Sequence, residues 1–113
     1  VAGEEGRGAR APHAPLELLP LALSRPREAL TQARAVLAAG PGPYDASVAH
    51  QVVGIVLRDF GDVGSAIREL RTARSLARAS GSPGREADVL ATLGIALVFA
   101  GRTRSGLAAL EAA

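Results

Sequence analysis

Shifted by 40 residues, this sequence falls on itself. Residues 47–73 laid on residues 87–113 match at Gly54/Gly94, Ile55/Ile95, Leu57/Leu97, Gly61/Gly101, Ser65/Ser105, Leu70/Leu110 and Ala73/Ala113. The paired glycines make the recurrence informative. Glycine inside a helix costs about 1 kcal/mol relative to alanine, so a glycine at the same point of both units needs a structural reason. A recurrence of this length with two helices per unit is the mark of stacked helical hairpins, each burying its apolar face only against its neighbour. Close helix–helix approach at Gly54 and Gly94, against the small residues Ala66 and Gly106, would offset the helical cost. Gly61 and Gly101 would end the first helix of each pair in a left-handed conformation.

Apolar periodicity fills in the units. Ala49, Val52, Val53, Val56, Leu57 and Phe60 recur at helical spacing behind Asp45, a plausible N-cap, and predict a helix over residues 45–60. A gap, GDVG, covers 61–64. The next helix is expected over 65–79, with Ala66, Ile67, Leu70, Ala73 and Leu76 or Ala77 inward. Ser82 as N-cap and Pro83 at the first position open another helix, running to about Ala100. The GRTR gap precedes a fifth helix that continues to the last residue. Upstream, 16–24 reads as a short apolar helix or turn disturbed by Pro20. Ser24 is expected to cap a helix over 26–39, closed by GPGP. Residues 1–15, rich in Gly, Ala and Pro, read as a disordered leader or linker. Nothing reads as a strand. Hydrophobic content is 48 %, with only one Tyr and two Phe, so Leu, Ala and Val must build the core, which suits closely packed helices.

At these positions the chain resembles the tetratricopeptide repeat. The second unit reads Leu90, Leu93-Gly94, Leu97, Gly101, Gly106, Leu110, Ala113; the first reads His50, Val53-Gly54, Leu57, Gly61, Ala66, Leu70, Ala73. His50 departs from the family's large apolar residue and Gly106 from its alanine, and the period exceeds the usual length of about 34 residues. The resemblance implies an all-α, right-handed α-solenoid of antiparallel helical hairpins with about five main helices. Residues 16–113 would form the repeat domain: a degenerate repeat over 16–40, a full one over 45–80 and a truncated one over 83–113. The run from Val52 to the end is further similar to the helical repeats preceding the CHAT domain, a caspase-like peptidase domain, in actinobacterial proteins. That implies a recognition or regulatory arm of a larger protein, with catalytic His and Cys elsewhere. The repeat region of a large bacterial transcriptional regulator is the alternative placement.

In such arrays the first helix of each pair lines a concave face that holds a peptide or a partner helix. Carrying over matching positions gives Val48, Gln51, Ile55, Arg58 and Asp59 from one unit, and Asp88, Ala91, Ile95, Val98 and Phe99 from the next. They form either a partner groove, with Phe99 as anchor, or a packing surface for neighbouring repeats. The partner is expected to be a protein or peptide, including another domain of the same chain. Self-association through exposed ends of the array is a further expectation.

Other chemistry finds little support. No Cys is present, which removes disulfides and Cys-based zinc sites. His13 and His50 stand far apart and make no metal motif. Asp45, Ser47 and His50 carry the residue types of a hydrolase triad, but within six residues at a helix start, where capping explains Asp45 and Ser47. No enzyme activity and no cofactor are expected. All 13 basic residues are Arg, against 11 acids; the resulting pI near 10.4 reflects arginine's high pKa rather than a strong field. Arg68, Arg71, Arg74 and Arg78 form a stripe on one helix, which reads as a solvated outer face. A nucleic-acid surface is the less favoured alternative, because no aromatic residues interleave to stack bases. No secretory signal pattern opens the chain, and the most apolar run, 89–101, is too short to span a bilayer. A cytoplasmic location and membership of a longer protein are expected, the chain starting without Met and ending inside a helical pattern.

Overall fold

A computed structural model describes residues 13–113. Among them are a 3-10 turn, Pro15–Glu17, and six α-helices: α1 Leu18–Ser24, α2 Pro26–Ala38, α3 Pro43–Asp59, α4 Val63–Ala79, α5 Pro83–Phe99 and α6 Thr103–Ala112. No strand occurs among the described residues. Most of the leader expected over 1–15 lies outside them. Of the rest, His13 donates its backbone N–H to Gln32 Oε1 at 3.0 Å.

Proline and capping residues set the helix starts. Ser82 accepts the Arg85 N–H at 3.2 Å with Pro83 in the first turn, as the sequence leads one to expect. Asp62 does the same for α4, accepting the Ser65 N–H at 3.2 Å. Val63 and Gly64, expected in a gap, therefore belong to the first turn. Two expected caps are corrected. Ser24 is the last residue of α1, and Arg25 stands before Pro26 without a side-chain cap, because the residue ahead of a proline is driven out of helical conformation. Asp45 is not the cap of α3: the helix starts at Pro43 behind Gly42, since a proline at the first position has no N–H to leave unsatisfied. Asp45 instead sits in the first turn, where its charge favours the helix N-terminus. Pro20 is the third residue of α1 and disturbs nothing there, for the same reason as Pro43.

α3 and α5 end alike. Gly61 has φ 92° and Gly101 φ 79°. The Asp62 N–H reaches Leu57 O at 2.9 Å and the Gly61 N–H reaches Arg58 O at 3.0 Å; Arg102 to Leu97 O and Gly101 to Val98 O repeat the pattern at 2.8 and 3.0 Å. Both are Schellman caps, which require a left-handed residue.

α3 packs on α4 and α5 on α6; α4 meets α5, α2 meets α3, and α3 also touches α1 and α5. The hairpin contacts run antiparallel and repeat at 40 residues. A Cβ on Gly54 would lie 2.6 Å from Leu70 Cγ and 3.3 Å from Ala66 O; one on Gly94 would lie 2.7 Å from Leu110 Cγ and 2.9 Å from Gly106 O. The paired glycines therefore mark the close approach, with Ala66 and Gly106 facing them. In the second hairpin the approach is closer still: a Cβ on Gly106 would come within 2.7 Å of Gly94 O, which explains glycine where the resemblance leads one to expect alanine.

Burial follows the apolar periods. Leu18 and Ala22 of α1, Ala29 and Ala33 of α2, and Val48, Ala49, Val52, Val53, Ile55 and Val56 of α3 form one cluster. Ile67 and Leu70 of α4 join Leu93, Ala96 and Leu97 of α5 in a second. Ala77, not Leu76, is the fully buried member of its pair. Phe60, expected inward, is 53 % exposed, because α3 stops at Asp59 and Phe60 leaves the helical period as the cap residue.

Candidate functional site

The residues expected to line a groove divide by helix. On α3, Val48, Gln51 and Ile55 are buried, and Val48 and Ile55 join the cluster with α1 and α2. On α5, Ala91 is half-buried, while Asp88, Ile95, Val98 and Phe99 are exposed. Arg58 Nε donates to Asp59 Oδ1 at 3.1 Å, and its guanidinium carbon stands 5.8 Å from the centre of the Phe99 ring. Three of the ten expected residues are thus buried, Arg58 and Ala91 are half-buried, and Asp59, Asp88, Ile95, Val98 and Phe99 are exposed.

What joins the two halves is a polar cluster at the start of α5. Gln51 Nε2 donates to Thr92 Oγ1 at 2.9 Å and to Asp88 Oδ2 at 3.2 Å. Gln51 Oε1 accepts from Arg85 Nη2, which also lies 3.5 Å from Asp88 Oδ2. The Arg85 guanidinium carbon stands 5.9 Å from the centre of the Tyr44 ring. Arg85 is 4 % exposed. Burial lowers its pKa from the ordinary arginine value, and Asp88 and Tyr44 pull in the opposite direction. Its Nε is buried without a hydrogen-bond partner. Arg85 and Thr92 escape a reading of the sequence by apolar period, which files both as surface. One local signal points to Arg85: a cation in a helix's first turn faces the unfavourable end of the helix dipole, and the Asp88 carboxylate three residues on offsets that.

Beside the cluster, α1, α3 and α5 enclose a cleft of about 270 Å³ lined by Leu19, Pro20, Leu23, Gln51, Ile55, Asp88 and Thr92. Its walls are aliphatic, and Asp88, with its side chain 52 % exposed, is its charged member. Gln51, Ile55 and Asp88 of the expected groove meet here. The α1 wall was not foreseen, because Leu19 and Leu23 read in the sequence only as members of a short apolar segment.

On the opposite side, a cavity of about 580 Å³ lies between α4, α5 and α6, over Leu90, Leu93 and Leu97. Arg71 and Arg74 line it. The arginine stripe is not one solvated face: Arg74 and Arg78 approach Glu86 of α5 at 3.9 and 3.3 Å, and Arg68 donates to Ser65 Oγ at 2.8 Å. Two of its four members tie α4 to α5.

Asp45, Ser47 and His50 each go separate ways. Asp45 is exposed. Ser47 is fully buried and donates to Tyr44 O at 2.6 Å. His50 pairs with Glu69 of α4 at 2.9 Å. Among the described residues no group of three or more His, Cys, Asp or Glu could hold a metal ion, and no helix is long and apolar enough to cross a membrane. Comparisons with protein-family models, with curated proteins and with solved structures find no match to this chain.

Proposed function

We propose that this chain is a helical-repeat interaction module, a right-handed array of antiparallel hairpins that presents the face of α1, α3 and α5 to an extended or helical peptide. The observation that carries the reading is the cleft in which three successive first helices supply Leu23, Ile55 and Asp88 side by side. The 40-residue recurrence of close helix approach supports the array. Apolar side chains of a ligand would fill the cleft against Leu19, Leu23 and Ile55. A ligand lysine, arginine or N–H would meet the exposed oxygen of Asp88, since a carboxylate only accepts. The ion pair and hydrogen bonds behind Asp88 hold that carboxylate in place, so little ordering entropy is lost on binding. The wider role that fits the resemblance is the recognition arm of a CHAT-type bacterial protein, docking either a foreign peptide or a segment of its own chain in the cytoplasm.

The test is a displayed peptide library selected on this chain, followed by calorimetry. The expected consensus pairs apolar residues with a base. Leu23→Glu, at a position 69 % exposed and therefore tolerated by the fold, is expected to weaken binding at least about tenfold, or about 1.4 kcal/mol. Arg71→Glu, on the far side, should leave it unchanged. Selected peptides indifferent to Leu23→Glu but lost with Arg71→Glu would move the site to the α4–α5–α6 cavity.

A further inference from the structure

The cavity between α4, α5 and α6 lies where the second unit lacks side chains that the first unit carries. Forty residues upstream, His50 stands in place of Leu90, and Arg68, Glu69 and Thr72 stand in place of Ala108, Ala109 and Ala112. In the first unit these longer side chains engage their neighbours. His50 Nδ1 meets Glu69 Oε1 at 2.9 Å across α3 and α4, and Arg68 donates to Ser65 Oγ at 2.8 Å. In the second unit three alanines of α6 face the space over Leu90 and leave it open. Ser105, the counterpart of Ser65, has no such arginine beside it, because Ala108 replaces Arg68. The opening thus comes from residues of α5 and α6 themselves. Its volume of about 580 Å³ falls in the range of small-molecule sites, about 300–1,000 Å³.

The lining carries one sign of charge. Arg71 and Arg74 of α4 line the cavity, and no Asp or Glu does. Arg71 makes no ion pair or hydrogen bond among the described residues. Arg74 has Glu86 only at 3.9 Å, and its Nε is buried without a hydrogen-bond partner. A guanidinium donates only, through a planar fork that matches a carboxylate. Below the arginines the floor is Leu90, Leu93 and Leu97, and no aromatic ring lines the cavity. A base or an aromatic ring finds nothing to stack on. A sugar would have only the Ser75 and Ser105 hydroxyls to pair with away from the arginines, and its other hydroxyls would lose water without compensation. An aliphatic chain gains from the same floor with every methylene it buries.

We propose that this cavity binds a small monocarboxylate with an aliphatic chain, a ligand of the medium-chain fatty-acid class. The carboxylate accepts from Arg71 and Arg74, and the chain lies over the three leucines against the alanines of α6. The site shares no lining residue with the cleft of α1, α3 and α5, so it neither rests on the peptide reading nor competes with it.

The test is calorimetric titration of the 113-residue chain with decanoate, and with decylammonium as the probe of opposite charge. The expected result is one decanoate bound per chain and no binding of decylammonium. Arg71→Gln removes the unpaired guanidinium at an exposed position, so the fold should keep its circular dichroism while decanoate binds about tenfold more weakly. Ala109→Glu restores the acid that the first unit carries at Glu69. It sets a carboxylate among the arginines and should abolish binding. A parent chain that binds no decanoate overturns the proposal. So does decanoate binding unmoved by Arg71→Gln, or decylammonium bound as tightly as decanoate, which would reduce the site to bare apolar surface. Leu23→Glu is the independent control. It should leave decanoate binding intact, which separates a failure here from a failure of the peptide cleft.

Discussion

An added methyl group at Gly54 and one at Gly84 should pull stability in opposite directions. Both glycines are helical. At Gly84 nothing lies within 4 Å of the new Cβ, so Gly84→Ala only removes freedom from the unfolded chain and should stabilise by about 0.5–1 kcal/mol. At Gly54 the Cβ meets Leu70 Cγ at 2.6 Å, and Leu70 is fully buried and has nowhere to go. The overpacking cost of about 1–3 kcal/mol outweighs the propensity gain, so Gly54→Ala should lower the melting temperature by several degrees. Thermal melts of the two variants check both signs. Gly54 was legible in the sequence because its 40-residue partner Gly94 repeats the same sacrifice. Arg85 was not, because its value depends on Gln51, 34 residues away, and a helical period carries no information about which exposed position a neighbouring helix will cover. Gln51→Leu keeps the volume but strands the buried Arg85 guanidinium. It should cost about 2–3 kcal/mol, measured by urea unfolding.

At the scale of elements, the helices of the described chain were legible wherever a cap or proline announces them and an apolar period sustains them. α5 is the clear case, with Ser82, Pro83 and Val89, Leu93 and Ala96 in phase. Starts were misjudged where two signals compete. Asp45 and Pro43 both mark the head of α3, and proline prevails because its fixed φ suits the first helical position and its missing N–H is one the helix leaves unpaired there in any case. α4, expected from Ser65, begins at Val63 instead, because Asp62 in the GDVG gap accepts the Ser65 N–H and caps the helix. The consequence is measurable. Asp62→Ala should lower stability by about 1 kcal/mol, as should Ser82→Ala, whereas Ser24→Ala should leave the melting curve unchanged, since Ser24 caps nothing. The cleft was half legible. The repeat placed Gln51, Ile55 and Asp88 on first helices, but the closing wall from α1 comes from a segment with no counterpart in the recurrence.

Across the whole molecule, stability should grade from α3 outward. α3 contributes ten buried residues and contacts α1, α2, α4 and α5, whereas α6 contributes Gly106 alone. Amide exchange should therefore protect the α3 amides to near the global unfolding free energy and let α6 open first. The same gradient bears on the proposed function, because the α1–α3–α5 cleft rests on the best-packed helix. A preformed cleft on rigid helices binds without a large ordering cost.

The most direct measurement is a titration of the ¹⁵N-labelled chain with a peptide selected on it, followed by backbone NMR. The proposed function predicts shifts concentrated at Leu19, Leu23, Gln51, Ile55, Asp88 and Thr92, with the α4 and α6 amides around Ser75 and Ala109 unmoved. Shifts gathered instead on Arg71, Ser75, Ala108 and Ala109, with the α1 and α3 amides silent, would contradict it and assign recognition to the opposite side of the molecule.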